Sequence, residues 1–539
     1  MSSILIITLF IFFFGYLIFP PKSLYTNEEF EGEVATDTKT LASYARDVSV
    51  FTKSPTKIYF PRNVSDVVFL VNQVAHMRMQ GGKETLTLRA GGTCMSGGGL
   101  SDSSVIDMTR HMTKVIVDPA TEIATVEMGA YFRDIETAAK EHGLMFAPYP
   151  SSRQICGIGG MIGNNASGEK SIRFGATSDN IISLEVVLAD GEVVILKAKD
   201  LAEVKSGREK AILKLADANT EQLAEATGQV HKAASGYRLE KVLAEGKFNE
   251  TPLFCGAQGT LGIVTKAVLK LVPIPKHLSL LVISAEQLDD IPIIVKEIFN
   301  HHPEAVETFD TFTFVKAREH LSEHTGRLIP YVDANARLFI LAEFSEETKE
   351  ATEERAQNCQ ANLAGCGYKV KMVNDMTDKA SIWEVRRNSF LLMRDHNPEG
   401  FRAVPCIEDV VVPIEGLTEF ITELNSILLR RGINYGFHGH IGEGSLRIVP
   451  VFDTQSPNLV SDITGLMEEV FSLIKRLKGN ISADHSDGII RSPFLREFYG
   501  DELYSVFTEV KKIYDPYNLF NPGKKTGATI DDIKKYLDV

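Results

Sequence analysis

Residues 148–175 read PYPSSRQICGIGGMIGNNASGEKSIRFG, an unusual density of small residues for a chain of 539 residues. Glycine lets a backbone approach a ligand closely and adopt positive φ angles. Successive N–H groups in such turns form concave anion-binding sites. A second glycine-rich segment, RAGGTCMSGGGL, spans Arg89–Leu100 and follows an apolar-alternating run. Two such segments, each after a strand-like run, predict an extended, phosphate-bearing cofactor that is held at two places.

The spacing of the glycines separates this pattern from two common nucleotide-binding motifs. A Rossmann site needs G-x-G-x-x-G between a strand and a helix, and a Walker A loop needs G-K-[ST]. Residues 157–163 read GIGGMIG, in which Gly157, Gly159 and Gly163 miss the first spacing by one, and no G-K-[ST] occurs. A single loop of this kind is equally well read as a tight turn, but several in one chain favour a cofactor site.

A third segment, FCGAQGTLGIV, spans Phe254–Val264. In this order the three segments resemble the FAD-binding domain of the vanillyl-alcohol-oxidase type flavoproteins. Within that superfamily they are most similar to the D-2-hydroxyacid dehydrogenases, over about residues 50–525. The resemblance implies an α+β fold, in which a two-subdomain FAD-binding domain is joined to an α+β cap domain with an antiparallel sheet. Helices are expected on one side of that sheet.

The resemblance also implies how FAD is held. The first segment would hold the pyrophosphate, and the second would pass along the ribityl chain and the isoalloxazine. Some members bind FAD covalently through a histidine at the end of the first loop; Thr93 stands there, which implies non-covalent FAD. The residues assigned to FAD in this way are Arg89, Ala90, Gly91, Gly92, Thr93, Cys94, Met95, Pro150, Gly157, Gly160, Gly163, Asn164, Ser167, Gly168, Gly175, Gly262, Ile263, Val264 and Asn521.

Five regions are predicted along the chain. Residues 1–21 form an N-terminal membrane anchor, and residues 22–48 a linker. Residues 49–276 form the FAD-binding domain, in which the spacing of apolar residues predicts a helix over 64–79, and Asp190-Gly191 predicts the turn of a β-hairpin. Helices are also expected over 201–248, because that stretch is rich in Ala, Glu, Lys and Leu. Residues 277–505 form the cap, and residues 506–539 return to the FAD-binding domain.

The composition excludes some classes of partner. The net charge of −14 argues against nucleic acid, which would require a basic face. The six cysteines are scattered without a C-x-x-C pair, whereas an iron–sulfur cluster requires clustered thiolates. Most cysteines are therefore expected to be buried free thiols.

The N-terminus carries an uncharged apolar run at residues 4–19. A membrane-spanning helix needs about 20 such residues, and residues 2–21 reach that length. A secretory signal would show a basic start and a small-residue cleavage site, and neither is visible. An uncleaved membrane anchor is favoured over a cleaved signal or a buried helix. Lys22, which follows the run, weakly places the catalytic body in the cytoplasm.

Oxidation of a 2-hydroxyacid needs a cation for the carboxylate, a base for the hydroxyl proton and a group that polarises the hydroxyl oxygen, often a metal. Trp383–Asn388 reads WEVRRN and resembles the family's W-x-x-R motif, which assigns Arg386 to the substrate carboxylate. A guanidinium can bind a carboxylate in a bidentate way. Without the resemblance, a solvated helix face would be the plainer interpretation of these residues.

Residues 437–450 read FHGHIGEGSLRIVP and resemble the family's strand–loop–strand that supplies metal ligands. His440 matches the first metal histidine. Glu443 and Ser445 depart from the family pattern, and Arg447 replaces the second metal histidine. Arginine stays protonated and does not ligate a divalent metal. His438 is either a substitute ligand or a loop histidine.

Residues 481–491 read ISADHSDGIIR and resemble the S-x-E-H-G-x-G motif. Asp484 falls on the metal carboxylate position and His485 on the catalytic base. Ser486 replaces a glycine, so an altered turn is expected. Glu408 and Asp409 are expected to have a supporting polar role. The replacement of the second metal histidine by Arg447 argues against a divalent metal such as zinc or manganese. Arg447 is instead a candidate catalytic residue that would act as a fixed positive charge.

The resemblance implies an FAD-dependent oxidoreductase that oxidises D-lactate or glycolate and passes electrons to a quinone or a protein carrier. Two alternatives stay open. One is an FAD enzyme that acts on a sugar or an alditol, and the other is a membrane-tethered flavoprotein without turnover. Retention of His485, Arg386 and His440 argues for an enzyme, whereas Arg447 and Ser486 argue for divergence.

Overall fold

The structure is a computed structural model that describes residues 29–538. The strands are β1 (Glu33–Ala35), β2 (Lys57–Phe60), β3 (Leu86–Arg89), β4 (Ser104–Asp107), β5 (Val115–Asp118), β6 (Ile123–Glu127), β7 (Leu144–Met145), β8 (Ile181–Val187), β9 (Val193–Lys197), β10 (Lys199–Asp200), β11 (Leu243–Ala244), β12 (Lys247–Phe248), β13 (Ile263–Lys270), β14 (Val272–Pro273), β15 (His277–Ala285), β16 (Ala305–Asp310), β17 (Leu338–Glu346), β18 (Lys369–Val373), β19 (Phe401–Ala403), β20 (Val410–Val411), β21 (Asn434–His440) and β22 (Ser445–Asp453).

Helices lie between these strands along the chain. They are α1 (Thr38–Tyr44), α2 (Val64–Met79), α3 (Phe132–Lys140), α4 (Ile158–Asn164), α5 (Ser171–Phe174), α6 (Gly207–Thr227), α7 (Thr251–Phe254), α8 (Ile291–Phe299), α9 (Thr311–His320), α10 (Ser322–Leu328), α11 (Lys349–Gly365), α12 (Met376–Arg387), α13 (Ser389–Asp395), α14 (Leu417–Arg430), α15 (Leu459–Arg476), α16 (Gly488–Arg491), α17 (Leu495–Tyr514) and α18 (Ile530–Tyr536).

The N-terminal half contains two principal sheets. One has the strand order β1-β2-β4-β3, and its β2–β4 and β3–β4 pairs are parallel. The other is antiparallel with the order β5-β6-β13-β8-β9. The first glycine-rich segment leaves the end of β3, the second contains α4 and α5, and the third leads into β13. The first and third segments are therefore joined directly to strands of the two sheets.

The C-terminal half is built on one antiparallel sheet of eight strands, in which β18-β15-β17-β16-β21-β22-β19 lie in order and β20 also pairs with β22. Both of its faces are covered. Leu281 and Ile340 belong to a core that includes residues of α8, α11 and α14, whereas Leu280 and Phe339 belong to a second core with residues of α9, α10 and α12. This differs from the expectation of helices on one side only, and it explains why β15 is apolar along most of its length.

The α+β fold class is confirmed, and many local predictions match the structure. The helix predicted over Val64–Met79 is α2, which begins after Asn63, whose side chain accepts from the Asp66 amide at 3.0 Å. The Asp-Gly hairpin is β8–β9, with Gly191 at φ 78°. The boundaries of the five regions stay predictions.

Two predictions are corrected. Residues 201–248 are not helical throughout, because α6 ends at Thr227. Gly228 follows at φ 97°, and a Cβ there would lie 2.7 Å from the Gly479 carbonyl oxygen. The membrane location is also corrected: across residues 29–538 no helix has both the length and the apolar character to cross a bilayer. The run at residues 4–19 lies outside the described residues.

Candidate functional site

One cavity brings the three glycine-rich segments together. The predicted cofactor residues that line it are Arg89, Ala90, Gly91, Gly92, Thr93, Cys94, Pro150, Gly157, Gly160, Gly163, Asn164, Gly262 and Val264. Asp484 and His485, from the other half of the chain, line the same cavity. The proposed catalytic base therefore faces the space that the glycine-rich segments enclose.

Two glycines that line the cavity are not explained by packing within the protein. A Cβ added at Gly160 or Gly163 would meet only ordinary contacts, 3.7 Å from Ala90 and 3.8 Å from Gln258. Packing within the protein therefore does not require glycine at these two lining positions, whereas a ligand against the backbone would. In the part of the chain that the structure describes, the N–H groups of Gly91–Met95 have no acceptor. These amides are free to bind the phosphates of FAD.

Six predicted cofactor residues do not line this cavity, namely Met95, Ser167, Gly168, Gly175, Ile263 and Asn521. Some of them have structural reasons for their identity. A Cβ at Gly168 would lie 1.8 Å from the Tyr149 carbonyl oxygen, and Gly175 caps α5 at φ 71°. Ser167 donates to Asp484 Oδ2 at 2.5 Å. These residues shape the site without facing the cavity.

Gln258 is a lining residue that the sequence reasoning missed. Its amide Nε2 donates to Asn164 Oδ1 at 3.0 Å and to Ser96 Oγ at 3.1 Å, so it joins the second glycine-rich segment to the first. Its Oε1 accepts from the Gly488 N–H at 2.8 Å, and its carbonyl accepts from Asn521 Nδ2 at 2.7 Å. One side chain and its backbone thus connect all three segments to the loop that carries His485. In the sequence, the only sign of this role was a single polar residue between glycines.

The β21–β22 hairpin supplies the cap side of the site. His438 pairs with Arg447, and His440 pairs with Ser445, across the ladder. Because paired residues, and residues two apart on a strand, share a face, all four side chains point to the same side of the sheet. Glu307 on β16 lies on that face too, and its Oε1 is 2.7 Å from His440 Nδ1.

The Arg447 guanidinium lies at the centre of this polar cluster. Its Nη2 is 2.5 Å from Asp484 Oδ1 and 3.2 Å from His440 Nε2. Its Nη1 is 3.1 Å from Asp409 Oδ1 and 3.0 Å from His485 Nε2. Burial acts to lower the pKa of Arg447, but Asp484, Asp409 and Glu408 outweigh burial and raise that pKa above its usual range. The side chain is therefore a permanent positive charge.

The turn after His485 was expected to be altered, because Ser486 stands where the family pattern has a glycine. Ser486 adopts φ 59°, the left-handed conformation that favours glycine. Its hydroxyl donates to the Gly256 carbonyl at 2.7 Å, which helps to hold this conformation. Gly488 is required, because a Cβ there would lie 2.0 Å from the Ser96 carbonyl oxygen. The Ser96 hydroxyl in turn donates to the His485 carbonyl at 3.1 Å.

Two buried carboxylates set the charge of His485. Its Nδ1 lies 2.9 Å from Glu408 Oε2, and its backbone N–H donates to Asp409 Oδ2 at 2.8 Å. Burial and Arg447 would lower the pKa of His485, but Glu408 and Asp409 outweigh them and raise it. Burial would raise the pKa of Glu408, but His485 and Arg491 outweigh it and lower that pKa to about 2.

Arg386 is in the last turn of α12 and is buried. Its Nη2 lies 2.5 Å from Glu307 Oε2, whereas its Nε has no hydrogen-bond partner among the described residues. Burial raises the pKa of Glu307 to about 7, although Arg386 and Lys232 act to lower it. Arg386 therefore keeps one free donor at the edge of the polar cluster.

Lys232 was also missed, because residues 201–248 were expected to be helical. Its Nζ lies 2.8 Å from Glu443 Oε2 and 3.8 Å from Asp484 Oδ2, and the side chain is buried. It comes from the segment after α6 and reaches across to the cap hairpin. A glycine-flanked lysine in GQVHKAASGY was the signal available in the sequence.

The predicted metal ligands His440 and Asp484 do not fit a divalent ion. Both contact the Arg447 guanidinium, and Asp484 uses its second oxygen to accept from Ser167. Within residues 29–538, the one group with suitable spacing is Glu408, Asp409 and His485. The same guanidinium contacts all three of those side chains.

Comparison with known proteins shows which family the chain belongs to. The FAD binding domain family matches residues 55–197, and the C-terminal domain of FAD linked oxidases matches residues 274–525. The chain belongs to the vanillyl-alcohol-oxidase family of flavoproteins. Its cofactor is FAD, and within this family it groups with the FAD-linked D-2-hydroxyacid dehydrogenases.

Two relatives and one solved structure illustrate the likeness. A D-2-hydroxyglutarate dehydrogenase of Pseudomonas putida is 29% identical, over 92% of this chain and 51% of the relative. The glycolate oxidase subunit GlcD of Bacillus subtilis is 26% identical, over 87% of this chain and 88% of the relative. The 4-ethylphenol oxidase of Gulosibacter chungangensis has a TM-score of 0.67 at 16% identity, over 91% and 94% of the two chains, and shows the shared fold. The chain spans about half the length of the D-2-hydroxyglutarate dehydrogenases that it matches.

Proposed function

We propose that this protein is an FAD-linked dehydrogenase that oxidises a small D-2-hydroxyacid with one carboxylate, D-lactate or glycolate, to the 2-oxoacid. The observation that carries the proposal is the position of His485. This imidazole lines the cavity of the three glycine-rich segments and is held by Glu408 from behind. A base beside the cofactor cavity is what removal of a hydroxyl proton requires.

His485 is the base in this proposal. FAD, when bound, would supply the acceptor for the hydride of the carbon that bears the hydroxyl. The hydroxyl proton goes to the neutral imidazole of His485, whose ring is 17% exposed. Glu408, 2.9 Å from Nδ1, stabilises the imidazolium that results. The carbon–oxygen double bond forms as the proton and the hydride leave, so the product is the 2-oxoacid.

Arg386 is the proposed partner of the substrate carboxylate. Its Nε is a buried donor without a hydrogen-bond partner among residues 29–538, and this supports the role, because hydrogen bonds from a guanidinium to a carboxylate are among the strong ones in proteins. Glu307 competes for the same guanidinium, and its pKa of about 7 allows it to take up a proton when a second carboxylate enters. Substrate binding and protonation of Glu307 are therefore expected to be linked.

The charge balance of the cluster favours a substrate with a single carboxylate. Arg386 pairs with Glu307, Arg447 with Asp484, and Lys232 with Glu443. Among the described residues of the site, each cation lies at ion-pair distance from a carboxylate. A dicarboxylate would need a further cation that is not already paired with a carboxylate of the protein. D-2-hydroxyglutarate, for which the Pseudomonas putida relative is named, is such a dicarboxylate.

The test is reduction of the bound flavin without oxygen. The full chain with FAD is mixed with D-lactate, L-lactate, glycolate or D-2-hydroxyglutarate, and the oxidised-flavin band at about 450 nm is followed. We expect D-lactate or glycolate to bleach the band, and L-lactate not to. Faster bleaching by D-2-hydroxyglutarate would contradict the single-carboxylate argument. No bleaching by any of the four would contradict the dehydrogenase assignment.

The electron acceptor in this proposal is a quinone or a protein carrier. Reoxidation of the reduced flavin by a soluble quinone, compared with reoxidation by oxygen, measures this preference. Faster reoxidation by oxygen than by either kind of acceptor would favour an oxidase instead.

A further inference from the structure

A positive charge, the Arg447 guanidinium, already occupies the predicted metal position. His440 and Asp484, the two expected ligands, converge on the Arg447 guanidinium at 3.2 and 2.5 Å. The other amino group of the guanidinium reaches Asp409 and His485 at 3.1 and 3.0 Å. One side chain thus contacts both the expected metal ligands and the proposed base.

We propose that the Arg447 guanidinium takes the place of the divalent metal, so that the site polarises the substrate hydroxyl without a metal ion. This inference rests on the proposed function, because it assigns a role in the same oxidation. As His485 removes the hydroxyl proton, negative charge grows on the substrate oxygen. The guanidinium, which lies 3.0 Å from His485 Nε2, stabilises that charge by donating a hydrogen bond.

The atoms of His440 and Asp484 that would bind a metal already have hydrogen-bond partners in the protein, and these partners exclude a metal. His440 Nδ1 donates to Glu307, which leaves Nε2 as the acceptor for Arg447. A guanidinium can only donate, so the contact with Arg447 requires a lone pair on Nε2 and places the ring proton on Nδ1, facing Glu307. Asp484 accepts from Arg447 on one oxygen and from Ser167 on the other. A divalent ion would displace these donors and would repel the guanidinium that remained.

The second candidate group fails for the same reason. Glu408, Asp409 and His485 have ligand atoms within 4.8 Å of one another. Arg447 contacts all three, and Arg491 lies 2.5 Å from Glu408. Two arginines therefore neutralise carboxylates that a metal would otherwise bind. Arginine suits this task because it remains charged when buried between carboxylates.

The first experiment uses the unmodified full chain with FAD. Metal content is measured by inductively coupled plasma mass spectrometry and normalised to flavin. Flavin reduction and thermal unfolding are then compared with and without a strong chelator, and with added zinc or manganese. We expect substoichiometric metal, no effect of the chelator on either measurement and no stabilisation by either ion. One zinc or manganese per flavin, removed by the chelator together with the rate, would overturn the proposal.

Variants test the charge directly. Arg447→Met removes the charge and is expected to lower the rate of flavin reduction by about a hundredfold, the effect typical of losing one donor to a developing oxyanion. Arg447→Lys keeps the charge and is expected to recover part of that rate. Arg447→His supplies the missing ligand and is expected to bind cobalt with a visible absorption band. A wild-type rate for Arg447→Met would overturn the proposal, and so would cobalt binding by the unmodified chain.

Failure of this proposal can be told apart from failure of the dehydrogenase assignment. Metal content and metal-induced stabilisation are measured without substrate, so they report on the site even if no hydroxyacid reduces the flavin. If the Arg447 variants do not fold, the metal measurements on the unmodified chain still decide the question.

Discussion

The charge on His485 depends on Glu408, and this dependence can be measured. A proton acceptor has to be neutral, so the rate of flavin reduction should rise with pH through the pKa of His485. Glu408 and Asp409 raise that pKa above 6.5, against the opposing effects of burial and Arg447. Glu408→Gln removes the larger of the two carboxylate effects. The acidic limb of the pH–rate profile should therefore move to lower pH.

The size of the shift follows from the distances. A carboxylate within about 4 to 6 Å typically shifts a pKa by about 1 to 3 units. Glu408 lies 2.9 Å from Nδ1 but Asp409 remains at 4.0 Å, so we expect about 1 to 2 units, where each unit is about 1.4 kcal/mol. At a pH below both values, the variant would hold about 10 to 100 times more neutral His485.

Glu408 also pairs with Arg491 and Arg447, so its loss destabilises the protein. Breaking a buried pair typically costs about 3 to 5 kcal/mol, although glutamine keeps an acceptor oxygen. Glu304→Gln is a matched control. Glu304 is equally buried and pairs with Lys170 and Arg173, away from His485. The control should lose stability without moving the pH–rate profile.

The assay is anaerobic stopped-flow reduction of the flavin over a range of pH, with thermal unfolding and flavin content measured on the same preparations. An unchanged acidic limb in folded, flavin-loaded Glu408→Gln protein would show that Glu408 does not set the pKa of the base. A limb that moves to higher pH would contradict the assignment of His485 as the group that must be neutral.

Three further changes test other parts of the site. Gly163→Val should lower the amount of FAD retained per chain, because the valine side chain would enter the cavity. Gly326→Val, at an exposed position with open space, should not lower it, and equal retention by the two variants would contradict the binding of FAD in this cavity. Arg386→Lys should raise the KM for the hydroxyacid by about tenfold to a hundredfold, the value of one charge-assisted hydrogen bond of about 1.5 to 3 kcal/mol, and an unchanged KM would remove Arg386 from carboxylate binding. Acid precipitation should release the flavin into the supernatant, because Thr93 supplies no histidine for a covalent bond; flavin that stays with the pellet would contradict this.

Local patterns predicted much of the fold because local physics determines those parts. The helix over Val64–Met79 and the Asp190-Gly191 hairpin depend on capping and turn chemistry within a few residues. The glycine-rich segments could be recognised because few structures other than a backbone in contact with a ligand need so many glycines. Gly168 was assigned to the cofactor for the same reason, yet the Tyr149 carbonyl is what excludes a side chain there.

Contacts between distant parts of the chain could not be predicted in the same way. Lys232 lies in a stretch whose composition favours helix, and its partner Glu443 is more than two hundred residues away. Gln258 is one polar residue whose side chain and carbonyl contact partners in four different segments. Neither position carries a periodic signal, because each is defined by the docking of the cap on the flavin-binding half.

That docking explains why so many charges are buried in one place. Ser167 and Lys232 come from the N-terminal half, whereas Asp484 and Glu443 come from the C-terminal half, and their contacts cross between the two. Buried ion pairs are often no more stabilising than apolar packing of the same volume, so stability alone is a weak reason to keep them. In the proposed reaction Arg447 has to stay charged and His485 has to gain and lose a proton. A cluster that holds both beside the cofactor cavity is what that chemistry requires.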